Sequence, residues 1–350
     1  MEEKKENWLI TGASGFIGIH LTQILNEKFP HIQLYNLVRS KERFDKKQLP
    51  GNCVVGDLNS SNLEWITDPQ VLPDDLTGVI HLAGLIHTHN CEEFYKVNAQ
   101  GTLFLIENLK KRYLNKNLKF ILVSSLAAYG PIRNDFSMDK PVGDYGKSKL
   151  QAEKIMKENL PLHWSWCIFR PPIVIGPKDL ALYDLYSLVN SNLDIRCGIS
   201  GDKRRYHFVC VLDLVSHILS KLEDKNFIQG ETVYPFYPKE ITFGEMTKQF
   251  STILGKKFLL RFFIPEFLII FLSKFSKYPF FPRALTRLTP DKVHEILALG
   301  WLCPATSSQI TYVWDLEKTL KLTIKDYQEY DLLQQRNKYE NDQKQSCCPH

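Results

Sequence analysis

Six short apolar runs, most of them followed by a segment of helical length, organise the first half of the chain. WLIT (8–11), IQLYNLV (32–38), CVVG (53–56), GVIHLA (78–83), LKFILVS (118–124) and HWSWCIF (163–169) are nearly continuous in apolar character. Strands with no polar face are buried on both sides. Amphipathic stretches at 17–27, 92–112 and 145–159 lie between several of them. That alternation predicts a doubly wound, parallel α/β sheet with helices packed on each face. From about Pro177 the pattern loosens and proline and aromatic residues rise. The expected organisation is one α/β domain over 1–176 with a returning segment near 205–225, a smaller lobe over 177–326, and a polar tail over 327–350 that begins as a fraying helix.

Charge narrows the classes of partner. The chain has 350 residues, 44 Lys and Arg against 39 Asp and Glu, and a formal charge of +5. The surplus is local: eight basic residues between Lys256 and Lys292 face only Glu266 and Asp291. No module interleaves these cations with stacking aromatics, so nucleic-acid binding is not expected. The eight cysteines form no CxxC pair, and the start MEEKKENW lacks an apolar signal core. Both point to a reducing, cytoplasmic setting. The ending CCPH fits a prenylation box poorly. His87 and His89 form an HxH pair without a further clustered ligand, so no metal is expected.

The segment TGASGFIG leaves the first strand and opens the first helix, with Gly12, Gly15 and Gly18 at intervals of three. Glycine there permits a tight turn and close backbone approach, and the helix N-terminus presents free N–H groups to a pyrophosphate. A dinucleotide in a Rossmann-type sheet is the reading. The second strand ends NLVRSKER, which puts Arg39 near the position that distinguishes ribose from ribose phosphate, with Lys41 and Arg43 behind it. A planar guanidinium suits a 2′-phosphate, so NADP is expected ahead of NAD. Asp57, in GDL after the third strand, is placed to accept from the adenine amino group.

A second constellation follows. YGKSK puts Tyr145 and Lys149 four residues apart on one helix face, and ILVSSLAAYG ends a strand with Ser124 and Ser125. A phenol is a poor base near neutrality. An adjacent ammonium and a positive nicotinamide are expected to favour the phenolate, while serine orients the substrate oxygen.

Together these motifs resemble the extended short-chain dehydrogenase/reductases, that is, the NAD(P)-dependent epimerase/dehydratase family with its dihydroflavonol-reductase-like branch. TGASGFIG, GDL, HLAG (81–84), VNAQGT (97–102), SSLAAYG (124–130), YGKSK, RPPIVIGP (170–177) and FVCVLDL (208–214) stand in family order. The resemblance implies Tyr145 as acid/base, Lys149 as its tuner and ribose anchor, Ser125 as the substrate-binding serine, and Asn98 as support for the active-site helix. It places the cofactor against Gly12, Ser14, Gly15, Phe16, Ile17, Gly18, Arg39, Asp57, Leu58, Leu82, Ala83 and Gly84, with Pro171 to Val174 lining the nicotinamide pocket. His81 is expected beneath the cofactor. Leu212 replaces an acidic residue common in the family, although Asp213 is kept.

The reaction stays open between two main readings. Dehydratases of the family commonly carry an acidic pair after the active-site hydroxyl, whereas Ser125 is followed by Leu126, Ala127 and Ala128, which argues against elimination. Hydride transfer at a carbonyl or hydroxyl is the first reading, favoured by the NADP signal, and a nucleotide-sugar epimerase is the alternative. A non-catalytic NADP sensor is a third, opposed by the retention of both Tyr145 and Lys149. Tyr206 and His207 are further candidates for substrate contact. The stretch FFIPEFLIIFLSKFSKYPFF (262–281) is too interrupted to span a bilayer. The simplest expectation is a lobe helix that buries its apolar face. The alternatives are peripheral membrane contact, a lid over a lipophilic substrate, or a homodimer contact.

Overall fold

The computed structural model describes residues 5–59, 64–132, 139–198, 201–223, 230–276, 288–304 and 311–346. Its strands in chain order are β1 (Glu6–Thr11), β2 (Ile32–Val38), β3 (Asn52–Val55), β4 (Leu76–His81), β5 (Lys119–Val123), β6 (Ser165–Phe169), β7 (Ile173–Ile175), β8 (Leu193–Cys197), β9 (Arg205–Tyr206), β10 (Phe208–Cys210), β11 (Glu231–Val233), β12 (Ile241–Thr242), β13 (Leu260–Ile264) and β14 (Gly300–Trp301). Seven form one sheet in the order β11-β6-β5-β4-β1-β2-β3, and every neighbouring pair in it is parallel. Strand order reverses direction between β1 and β4, which opens a crevice at their carboxyl ends.

The pleat divides the core in two. Trp8 and Ile10 of β1, with Ile121 and Val123 of β5, join one apolar cluster, to which the helix Val211–Glu223 contributes Leu214 and Ile218. Leu9, Phe120 and Leu122 point to the opposite face, against Leu105 and Leu109 of the helix Gly101–Tyr113 and Met156 of the helix Asp144–Asn159. Each such fully buried side chain is worth roughly 1.5–3 kcal/mol of transfer free energy, so the two-faced pattern holds the sheet in register.

Beyond β7 the chain alternates between the sheet and the lobe. β10 pairs with β7, Val211–Glu223 packs on the first helix, Phe16–Lys28, and β11 adds the seventh strand next to β6. Asp213 accepts the backbone N–H groups of Val313 (3.2 Å) and Trp314 (3.1 Å), which anchors the C-terminal segment despite Leu212. A separate lobe core gathers Tyr186, Phe208 and Phe250 around Leu320, Ile324 and Tyr327 of the helix Leu316–Ser346. Tyr327, at the start of the expected tail, is fully buried, and Asp331 accepts from the Tyr186 hydroxyl at 3.1 Å. The opening of the expected tail is therefore a packed part of the lobe. The reason is local: Leu320, Ile324 and Tyr327 continue an apolar face at helical spacing before the glutamine-rich run begins.

The apolar stretch at 262–281 departs from the simplest expectation. It divides into β13 and the helix Glu266–Ser273. In that helix Ile269 and the polar Ser273 are buried, whereas Phe267, Ile270 and Phe271 are exposed. Residues 277–281, Lys277 among them, lie outside the described residues. No helix among the described residues is long and apolar enough to cross a membrane.

Candidate active site

The crevice at the β1 and β4 ends is built by backbone. Gly12 has φ +73°, and a Cβ on it would lie 2.6 Å from the Ala83 nitrogen; one on Gly18 would lie 2.4 Å from the Gly12 carbonyl oxygen. These two glycines therefore serve the turn and helix-to-strand packing. Gly15, the N-cap of Phe16–Lys28, makes no side-chain cap, and the first turn has no acidic residue. Its N–H groups are thus available to an anion, and the cradle fits a dinucleotide pyrophosphate. A groove of about 240 Å³ runs from here past Ser14, Arg39, Asp57 and Leu58 to Leu82, Ala83 and Gly84. Arg43 also lines it, from the helix Lys41–Lys46 that begins at the Ser40 cap. Phe16 and Ile17 lie in the first helix: Phe16 meets His20 edge-on and Ile17 packs on the core.

Two side chains fix the groove's floor. The Thr102 hydroxyl donates to the Asn98 carbonyl at 2.6 Å, so it accepts from Nε2–H of His81 at 2.9 Å. Nδ1 of His81 is then the acceptor for the Thr11 hydroxyl at 2.6 Å. Burial drives the imidazole pKa down to about 3, as this neutral tautomer requires. Asn98 lies in a π-helical turn, Tyr95–Gln100. Its Oδ1 accepts from Leu85 N–H at 2.7 Å, and its Nδ2 donates to the Leu85 carbonyl at 3.1 Å and to Ser148 Oγ at 2.9 Å. Ser148 in turn donates to the Tyr145 carbonyl at 2.7 Å. Asn98 thus connects the groove to the tyrosine helix directly.

The two serines at the end of β5 diverge. Ser124 is buried and donates to Glu153 at 2.5 Å. Ser125 caps the short helix Leu126–Tyr129, accepting from Ala127 N–H at 3.1 Å, and reaches a second cavity together with Tyr145. Lys149, one turn after Tyr145, is buried, and its Nζ donates to the Val123 carbonyl at 2.9 Å. A Cβ on Gly84 would lie 3.4 Å from that Nζ, so the ammonium sits beneath the groove.

Burial dominates the electrostatics of Tyr145 and Lys149. Burial pushes the Tyr145 phenol up to about 12; Ser125 opposes this and the charge of Glu295 adds to it. Burial also brings the Lys149 ammonium down to about 8, opposed by Glu153. The physical reason is desolvation, which disfavours both charged forms. On the protein's own groups alone, the phenol is protonated near neutrality.

The second cavity, about 280 Å³, is lined by Ser125, Tyr145 and Tyr206, by Leu126, Ile173, Phe243, Met246 and Trp301, and by Lys292, Glu295 and Ile296 of the helix Pro290–Leu297. Pro172 and Ile173 line it; Pro171 and Val174 do not appear on its wall. His207 lies away from it, stacked on Phe236 and accepting from Cys303 N–H at 2.9 Å. Glu295 is the residue that local sequence could not supply. Its side chain is 15% exposed and pairs with Lys292 at 2.8 Å. Leu126, Ala127 and Ala128, which follow Ser125 in sequence, supply no carboxylate, but the lobe brings one to the cavity from 170 positions later.

Comparison with known proteins agrees with this geometry. Residues 8–234 match the NAD dependent epimerase/dehydratase family. The chain belongs to that family. Its relatives are extended short-chain dehydrogenase/reductase enzymes, and as a member of the family it is an enzyme of NAD(P)-dependent type. It is 27% identical over 267 residues to the N-acetyl-alpha-D-glucosaminyl-diphospho-ditrans,octacis-undecaprenol 4-epimerase of Escherichia coli O157:H7, covering 72% of this chain and 73% of the relative. It is 27% identical over 320 residues to the UDP-glucose 4-epimerase of Vibrio cholerae, covering 85% and 91%. A ceramide reductase of Caulobacter vibrioides is 32% identical over 183 residues, 51% of this chain and 50% of the relative. In fold the chain resembles the UDP-glucuronic acid 4-epimerase of Bacillus cereus solved with UDP-glucuronic acid and NAD (TM-score 0.68, 20% identity, 93% of this chain and 99% of that one). RMD from Pseudomonas aeruginosa, solved with NADPH, is similar at TM-score 0.64 and 20% identity, over 93% and 99%.

Proposed function

We propose that this enzyme transfers hydride reversibly at a hydroxyl-bearing carbon of an amphiphilic substrate, with inversion of a sugar hydroxyl as the first reading. The observation that carries it is the placement of Ser125 and Tyr145 on one wall of an otherwise largely apolar cavity, with Lys149 buried between that wall and the dinucleotide groove. The bound dinucleotide supplies the hydride acceptor and donor. Ser125 holds the substrate oxygen, and the Tyr145 phenol gives or takes its proton. Lys149 anchors the nicotinamide ribose and lowers the cost of the phenolate, while Asn98 positions the helix through Ser148. The relatives support inversion over net reduction, since two of them are named 4-epimerases.

Two names also combine a reacting polar group with a long apolar chain, undecaprenol in one and ceramide in another. The cavity supports such a substrate here: among the described residues Lys292 is the single cation on its wall, against Ile173, Leu182, Phe243, Met246, Ile296 and Trp301. A nucleoside diphosphate held in this cavity would ask for more positive charge. Net reduction with NADP is the second reading, favoured by Arg39 and Arg43 at the adenosine end of the groove.

The test is purified protein incubated with NAD or NADP and, separately, a UDP-hexose, a polyprenyl-diphospho-sugar and a long-chain ketone. Epimerisation produces the inverted sugar by NMR with no net change in cofactor absorbance, whereas reduction consumes NADPH in step with product. Tyr145→Phe should lower turnover by on the order of a thousandfold or more while keeping dinucleotide affinity. Wild-type turnover by that variant rejects the acid/base assignment.

A further inference from the structure

The helix Glu266–Ser273 is turned inside out for a soluble lobe. Its polar Ser273 is buried and donates to the Ile270 carbonyl at 2.8 Å, while Phe267 is 74% and Phe271 55% exposed. The preceding strand also exposes apolar side chains. Among the described residues β13 pairs only with β8, in a two-stranded sheet, and its consecutive Phe262 and Phe263, on opposite faces of the strand, are 48% and 51% exposed. Apolar side chains clustered this closely in water mark an interaction site.

Charge decides what covers it. Within the described residues the stretch from 256 to 276 carries Lys256, Lys257, Arg261 and Lys274 against the single acid Glu266; Arg261 pairs with Asp194 (2.8 Å) and Asp202 (3.4 Å), which leaves the three lysines as the basic surplus. That carboxylate is neutralised by Arg204 at 2.9 Å. A two-fold contact between copies of this face would bring one basic rim onto another, which is repulsive. A surface that accepts phenyl rings and attracts ammonium groups is the interface of an anionic bilayer. At eight residues the helix is about 12 Å long, so it lies in that interface and does not cross it.

We propose that β13 and the helix Glu266–Ser273 form a docking face for anionic lipid membranes. The helix Glu266–Ser273 packs against Pro290–Leu297, whose Lys292, Glu295 and Ile296 wall the substrate cavity. Docking therefore brings the lipid phase to the far side of the helix that closes the site. The use of this face for substrate entry rests on the amphiphilic-substrate reading above; the docking itself is measured without turnover.

The experiment is co-sedimentation of the full chain with vesicles of dioleoylphosphatidylcholine, alone or with about one third dioleoylphosphatidylglycerol. The wild type should pellet with the anionic vesicles and partition on the order of tenfold less into the neutral ones or in about 0.5 M salt. A Phe267→Ser/Phe271→Ser double variant should lose at least about tenfold in partitioning while keeping its melting temperature and dinucleotide affinity, because both rings are solvent-exposed. Absence of pelleting overturns the proposal, as does equal binding by wild type and variant. A wild-type dimer that the double variant dissociates, without vesicle binding, assigns the face to a second copy and also overturns it. Vesicle binding without turnover on any amphiphilic substrate sustains the docking face and rejects the substrate reading; turnover on one without vesicle binding does the reverse.

Discussion

The Asp291 carboxylate caps the helix that carries Tyr145. It accepts the backbone N–H of Asp144 and, through Oδ2 at 3.5 Å, that of Tyr145. Gly143 makes the room: a Cβ there would lie 2.5 Å from Asp291 Oδ1. The cap comes from Pro290–Leu297, the same helix that places Glu295 and Lys292 in the cavity. The Tyr145 helix and the lobe are therefore held in one registration.

Asp291→Ala should cost about 1 kcal/mol of stability, as for the loss of an N-terminal cap, and about tenfold in kcat through misplacement of the phenol. Asp291→Asn keeps an acceptor oxygen and should recover most of kcat. Thermal unfolding and steady-state kinetics measure the two effects. A drop in stability with kcat untouched would show that the cap has no part in positioning Tyr145.

Glu295 leaves its mark on the pH dependence. Its negative charge raises the Tyr145 phenol, so it disfavours the phenolate needed when a substrate hydroxyl is oxidised. Glu295→Gln removes that charge, and the limb along which kcat/KM for alcohol oxidation rises with pH should move to lower pH. An unmoved limb would separate Glu295 from the phenol and leave it as a partner of Lys292 alone.

Cofactor choice is tested at the end of β2. Arg39 and Arg43 line the groove on one side and Asp57 on the other. Arg39→Asp replaces attraction for a 2′-phosphate with repulsion. NADPH affinity should fall by on the order of a hundredfold, consistent with the loss of a charge-assisted hydrogen bond at about 2–3 kcal/mol, with NADH changed severalfold at most. Fluorescence titration of both cofactors measures the ratio. An unchanged preference removes the phosphate role.

What was legible in the sequence follows from the range of the forces involved. Six strands of the sheet and the turn at Gly12 are coded by local apolar runs and by a glycine whose positive φ is a local demand. β11 was not legible, because three residues leave no periodicity and their place is decided by pairing with β6. The Ser125, Tyr145 and Lys149 candidates were readable from spacing and strand order, but their depth of burial was not: it depends on how the whole lobe closes over them. Glu295 and Asp291 were missed for a related reason. The segment LTPDK announces only a helix start, with the Thr289 cap and Pro290 in the first turn, and nothing local tells which cavity that helix will face. On the helix Glu266–Ser273 the apolar pattern was plain, yet hydropathy cannot distinguish a buried face from one kept for a partner.

Acid stability offers a test of the clamp beneath the groove. His81 joins β4 to β1 through Thr11 and to the helix Gly101–Tyr113 through Thr102, and the bond that Nδ1 accepts from Thr11 needs the neutral ring. Its pKa falls from the ordinary 6.5 to about 3 on folding. Between those values the unfolded chain binds the proton and the folded chain does not, so stability is lost as pH falls from 6.5 towards 3. Burial lowers His207 and His217 to about 4, and they add to the loss in the upper part of the same window. At about 1.4 kcal/mol per pKa unit, the three together weigh several kcal/mol against the folded state at pH 4. The melting temperature should fall steeply between pH 6.5 and 4. His81→Gln, which cannot titrate, should start less stable at pH 7 and lose less on acidification. A wild type and variant with parallel pH profiles would mean that the ring takes up a proton in place, and that the Thr11–His81–Thr102 chain does not depend on a neutral imidazole.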